Sequence, residues 1–147
     1  LFRSLLPNYG VFDEQRYFVS GEATPCIFRI KNYRVGLCIC QDIWDKGPVD
    51  QIINQGADIL VCINASPFEE NKYAARDNIL RAWAKHDLAI VYVNQVGGQD
   101  DIVFDGQSVV LDNTGNVCAR SPAFIEDLHT VNIHGKKNRG QHHTFII

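Results

Sequence analysis

The stretch Tyr33-Arg-Val-Gly-Leu-Cys-Ile-Cys-Gln-Asp-Ile-Trp44 constrains the fold more than any other part of the chain. Val35, Leu37 and Ile39 alternate with Gly36, Cys38 and Cys40, so both faces of this segment are apolar or small. A strand that is apolar on both faces is covered on both, which is the signature of an inner strand of an α/β sheet. Polarity returns abruptly at Gln41 and Asp42. Cys40 therefore falls at the strand's C-terminal end, where open α/β sheets carry their sites. Two roles stand open for it. It is either a nucleophile beside the backbone N–H groups of a tight turn, or a buried structural thiol.

The rest of the chain reads as one α/β domain. Residues 26–31 alternate as a strand, and Asn32-Tyr33 turns them back into the central strand, giving a hairpin. Gly47-Pro48 opens a helix carrying Val49, Ile52 and Ile53 at helical spacing, with Gly56 as its C-terminal cap. Residues 58–64 follow as a buried strand, so strand–helix–strand makes a parallel βαβ unit. A loop at 64–68, a helix at about 70–86, a third parallel strand at 88–94 and a polar loop at 95–101 come next. From residue 102 onward, short strands separated by Asp105-Gly106, Asn113-Thr-Gly115 and Ser121-Pro122 predict antiparallel hairpins at one end of the sheet. Residues 1–134 form the domain and 135–147 read as a linker or tail.

Composition narrows the class. A net charge of −3 gives no nucleic-acid surface. No apolar run approaches the roughly 20 residues that span a bilayer. The five cysteines, Cys26, Cys38, Cys40, Cys62 and Cys118, are odd in number and mostly lie in apolar runs. That usage suits reduced thiols in the cytoplasm, and with no CxxC pair no cysteine zinc site is expected. The chain holds no methionine, so a processed or truncated start is expected.

Three parallel strands end in Cys40, in Asn64-Ala-Ser66 and in Asn94-Gln95. Loops leaving one sheet edge converge, so a thiol, a hydroxyl, amides and the helix-borne cation Lys72 are expected around one pocket. Such a pocket suits a small substrate with a carboxylate and an amide. The plainer alternative is that Asn64, Ser66 and Asn94 only satisfy turns and caps. A thiol nucleophile needs a base or a cation to lower its pKa. None of the five histidines fits that role, because they sit at a helix end, in a late strand and in the tail. Glu14, Asp13 or Asp42 remain as candidate bases. Neither a Walker loop nor a dinucleotide fingerprint is present.

Four stretches, in order, resemble the nitrilase (carbon–nitrogen hydrolase) superfamily. They are Leu6-Pro-Asn-Tyr-Gly-Val-Phe-Asp-Glu-Gln-Arg-Tyr-Phe18, Gly36-Leu-Cys-Ile-Cys-Gln-Asp-Ile-Trp44, Asn64-Ala-Ser-Pro-Phe68, and Asn94-Gln-Val-Gly-Gly-Gln-Asp100 with Val103-Phe-Asp-Gly106. Within it they are most similar to the glutaminase domains of glutamine-dependent NAD synthetases. The resemblance implies part of a four-layer α-β-β-α sandwich, incomplete on its N-terminal side. It implies that Cys40 attacks the side-chain amide of glutamine and forms a thioester, with the backbone N–H of Gln41 at the oxyanion. It also implies Glu14 as the supporting glutamate and Tyr9, Ser66 and Lys72 as glutamine-binding residues.

The departures from the family pattern lie at three places. Arg3 stands where the family has its lysine, and Gln41 where it usually has Glu. Arginine keeps the charge but presents a planar fork instead of a compact ammonium. The family's general-base glutamate lies upstream of the lysine motif, before this sequence begins. The chain is therefore expected to be an interior piece of a larger homo-oligomeric enzyme, poorly stable or inactive alone. Its expected partners are glutamine and a synthetase domain on the same or another chain. No cofactor is expected here, ATP and magnesium belonging to that absent domain. A stand-alone amidase of the same superfamily and a non-catalytic remnant are the alternatives.

Overall fold

A computed structural model describes residues 4–21, 24–133 and 143–146. Strand β1 (Cys26–Ile30) and strand β2 (Tyr33–Ile39) form the expected hairpin. Helix α1 (Lys46–Asn54) leads to β3 (Ile59–Asn64), and helix α2 (Lys72–Ala84) leads to β4 (Ala89–Asn94). Strands β2, β3 and β4 pair in parallel, with Cys38 opposite Cys62 and Cys62 opposite Tyr92. The βαβ reading of the sequence thus holds for both crossovers.

After β4 come β5 (Val96–Gln99), β6 (Ile102–Asp105), β7 (Val109–Leu111) and β8 (Val117–Arg120). β7 and β8 continue the main sheet antiparallel, giving the order β1-β2-β3-β4-β7-β8. β5 and β6 form a separate antiparallel ribbon. The sequence reading made residues 95–101 a loop. Their glycines and amides carry no apolar alternation, and the backbone ladder to β6 alone makes them a strand. Residues 143–146, expected within a polar tail, run as β10 antiparallel to β9 (Thr130–Ile133). His134 and the rest of 134–142, and with them the basic run at 135–142, lie outside the described residues.

The sheet buries both faces. On one, α1 and α2 bring Val49, Ile52, Leu80, Trp83 and Ala84 against Cys38, Leu60, Cys62, Ile90 and Tyr92. On the other, Val35, Ile59, Ala89, Val91 and Val110 pack with Val131 and Ile133 of β9. Each large side chain so buried contributes about 1.5–3 kcal/mol of transfer free energy. Gly36 permits the helix layer to close, since a Cβ there would stand 2.2 Å from Ile52 Cγ2. Among the described residues no helix is long and apolar enough to cross a membrane.

Candidate active site

β2 does not simply stop at Ile39. The backbone turns at Cys40 with φ +45, in the left-handed region that a side-chain-bearing residue enters at a cost. A 3-10 turn over Cys40–Trp44 follows. Buried Asp42 holds this elbow, accepting from Ile39 N at 3.1 Å and from Leu5 N at 2.9 Å. Trp83 of α2 secures its far side, its Nε1 donating to Ile43 O at 2.8 Å. Asp42, one of the candidate bases, is therefore committed to backbone. Asp13 is exposed and faces Arg16 at 3.9 Å.

Cys40 opens into a cleft of about 410 Å³. Its lining comes from three stretches of chain: Pro7, Tyr9 and Phe12; Gln41 and Trp44 next to Cys40 in sequence; and Ser66, Pro67, Lys72 and Ala75. Five of the seven residues singled out in the sequence are brought together here: Tyr9, Cys40, Gln41, Ser66 and Lys72. Glu14 sits on a 3-10 turn over Glu14–Arg16 and is not among the lining residues. Arg3 lies outside the described residues. A second hollow, of about 230 Å³, lies along β4 and β7 near His129 and does not reach Cys40.

The side chains of the cleft are already interlinked. Tyr9 Oη donates to Gln41 Oε1 at 2.6 Å. Lys72 Nζ meets Glu69 Oε1 at 2.7 Å, one turn back on the exposed side. Such an exposed pair is weak, so an incoming carboxylate competes with Glu69 at little cost. Ser66 is buried, and its N–H donates to Asn94 Oδ1 at 2.9 Å. Asn94 Nδ2 donates onward to Gly106 O at 3.0 Å. Asn64 Nδ2 bridges Cys62 O and Val93 O, both at 2.9 Å. The two asparagines thus tie strand ends and loops, as the plainer reading of the sequence had it.

Two groups beside the site are held neutral. Cys38 is pushed well above its ordinary value, first by the hydrogen bond with Cys62 and then by burial. Tyr92 is pushed up by burial, against the pull of the Arg76 charge. Both stay neutral under physiological conditions, so neither serves as a base. The five cysteines form no disulfide, and His86 and His129 do not line the cleft.

Sequence reasoning missed the buried groups behind the cleft. Arg76 and Asp105 form a paired fork there at 2.8 and 2.9 Å. The available signal was Arg76 lying one turn after Lys72 on the same helix. Trp44, Phe12 and Pro67 also line the cleft without having been singled out as site residues.

The carbon–nitrogen hydrolase family model matches residues 1–137. The chain is 44% identical over 133 residues to a glutamine-dependent NAD(+) synthetase of Aquifex aeolicus, covering 89% of this chain and 23% of that protein. The solved glutamine-dependent NAD+ synthetase of Acinetobacter baumannii superposes with a TM-score of 0.81 at 44% identity, covering 85% of this chain and 24% of that one. An amidase of Nesterenkonia sp. AN1, solved with the acetamide moiety of fluoroacetamide added covalently at its active site cysteine, superposes with a TM-score of 0.71 at 26% identity. That match covers 82% of this chain and 44% of the amidase. The chain spans about a quarter of the length of the synthetases it matches.

Proposed function

The chain belongs to the carbon–nitrogen hydrolase family, and from that premise we propose that it carries the glutamine-hydrolysing site of a glutamine-dependent NAD synthetase. The observation that carries this reading is Cys40, held at φ +45 on the end of an inner strand and opening into a cleft that also contains Lys72. Strain at a single residue persists where the surroundings over-determine it, and it gathers at reacting positions.

In this reading Cys40 Sγ attacks the side-chain amide carbon of glutamine. The C–S bond forms, and the carbonyl oxygen becomes an oxyanion facing the backbone N–H of Gln41. The C–N bond then breaks, the thiol proton ends on the departing nitrogen, and ammonia leaves a γ-glutamyl thioester. Water adds to the thioester carbon, glutamate is released and the thiol is restored. Lys72 and Ser66 receive the substrate's carboxylate end, and Tyr9 closes over it. Arg3, standing in sequence where the family has its lysine, supplies the charge that lowers the thiol's pKa, and Glu14 supports it. The hydrolysis itself calls for no cofactor. ATP and magnesium belong to the synthetase chemistry that consumes the ammonia, in a homo-oligomeric enzyme of the cytoplasm.

The test is covalent. A chloroketone analogue of glutamine is expected to add one equivalent to Cys40, read by peptide mass, and Cys40→Ala is expected to abolish the label on that peptide and the ammonia release. A folded chain that gives no label at Cys40 overturns the reading. The likeness to the Nesterenkonia amidase supports a second reading, a hydrolase of simple aliphatic amides. Faster ammonia release from acetamide than from glutamine would select it.

A further inference from the structure

Arg76 lies four residues after Lys72 on α2, yet the two cations live differently. Lys72 reaches the cleft, whereas Arg76 is 3% exposed and does not line it. A buried guanidinium is costly unless it is paired and hydrogen-bonded, and here the two terminal nitrogens carry the bonds while Nε has none among the described residues. Its Nη1 donates to both oxygens of Asp105, at 2.9 and 2.8 Å. Its Nη2 donates to Ser66 O at 3.1 Å, Ser66 Oγ at 3.2 Å and Pro67 O at 3.2 Å. All three acceptors of Nη2 belong to Ser66 and Pro67, two of the residues that line the cleft.

The polarity of these bonds has a consequence for the substrate. A guanidinium has donors only. Toward Arg76, therefore, the Ser66 hydroxyl can only accept, which leaves its own proton to be given either to a ligand in the cleft or to buried Tyr92 Oη, with which Ser66 also interacts. The Ser66 N–H is already given to Asn94. The carbonyls of Ser66 and Pro67 are drawn toward Arg76. The wall so prepared offers a hydroxyl donor to the same cleft that Lys72 lines, while the carbonyls of Ser66 and Pro67 are engaged by Arg76. Two such donors in one cleft match a carboxylate and mismatch an ammonium or a second amide N–H.

We propose that Arg76 is a positioning residue that fixes Ser66 as a hydrogen-bond donor, and that this sets the site's selectivity for an amide bearing a carboxylate. The proposal rests on the glutamine reading of the cleft and adds the origin of its selectivity. Asp105 is the counterion that makes the arrangement stable, and Gln107 Nε2 holds Asp105 Oδ2 in turn at 2.9 Å.

Two electrophiles test it on the same cysteine. The chloroketone analogue of glutamine carries the carboxylate, and iodoacetamide is a small neutral probe without one. Rates are read at Cys40 alone by peptide mass, because Cys26 and Cys118 are exposed and will also react. The wild-type chain should prefer the chloroketone. Arg76→Lys keeps the charge opposite Asp105 but loses the fork, so that preference should fall about tenfold or more while the iodoacetamide rate stays within about twofold. Ser66→Ala should show the same loss with Arg76 intact, and where Arg76→Lys does not fold, Arg76→Gln is the second variant and should lose the preference likewise. Wild-type preference in any of these variants, once folded, overturns the proposal. No preference in the wild-type chain overturns the glutamine reading itself, and the proposal falls with it.

Discussion

The two walls of the cleft are built by opposite means. The wall after β3 and β4 is anchored in the interior: Ser66, Arg76, Asn94 and Asp105 are all buried, and each bonds to another of the four. The wall from residues 4–18 lies on the surface. Tyr9 is 59% exposed, and Val11, Tyr17 and Phe18 are exposed with it. Leu5 N to Asp42 and Tyr9 Oη to Gln41 tie this wall to the elbow. The buried wall fixes the shape that a substrate meets. The surface wall, with few buried contacts, has the character of a segment that opens locally at low cost. One rigid wall and one light wall let a site hold its geometry and still admit its ligand.

The sharpest way to break this contrast is Asp105→Ala. It leaves Arg76 buried without its counterion, which costs about 3–5 kcal/mol. Against a whole-domain stability of roughly 5–15 kcal/mol, that loss is a large fraction. Urea midpoints of variant and wild type measure it. A loss below about 1 kcal/mol would mean that the wall is not held from Asp105.

That pair also marks where the sequence stops being readable. The three parallel strands were legible because period and two-sided apolarity survive in local composition, and Cys40 followed from where β2 loses its apolar pattern. The elbow at φ +45 was not legible, since nothing in Cys-Ile-Cys-Gln records a backbone angle. Arg76 and Asp105 stand 29 residues apart, and Asp105-Gly106 carries the composition of a tight turn. The glycine was read correctly, since Gly106 has φ +66 and a Cβ there would stand 2.5 Å from Val96 Cγ2, but no hairpin forms at it, because β6 pairs with β5 and β7 with β4. Nor could the turn composition contain the burial of the neighbouring carboxylate. β5 was hidden for a related reason, because Val96-Gly-Gly-Gln99 pairs through backbone and gives side chains no face to alternate.

The light wall yields the next prediction. Tyr9→Phe removes an exposed hydrogen bond and leaves the ring, with its edge-to-face contact to Phe12 at 5.9 Å. Stability should change by less than about 0.5 kcal/mol. The KM for glutamine should rise by roughly twofold to tenfold, the worth of one hydrogen bond of about 0.5–1.5 kcal/mol, with kcat little changed. A fall in urea midpoint as large as that of Asp105→Ala would erase the distinction between the walls.

The smallest effect separates bond count from burial. Asp112, in the turn between β7 and β8, accepts from Thr114 N, Thr114 Oγ1, Asn116 N and Asn116 Nδ2, as many bonds as buried Asp105 accepts. It does so at the surface. Partial burial pushes its carboxyl up, but the bonds from Thr114 and Asn116 outweigh that and hold it below its ordinary value. A carboxylate with a lowered pKa in the folded chain stabilises that chain above its unfolded value of about 3.9, and the stabilisation is lost as pH falls through the folded value. Asp112→Asn should therefore lower the urea midpoint at pH 7 and converge with wild type as pH falls through the lowered value of the folded carboxyl. Solvent screening keeps the pH 7 difference under about 1 kcal/mol. A difference as large as that of Asp105→Ala, or one that persists unchanged in acid, would mean that the number of bonds and not their burial governs how firmly a loop is held.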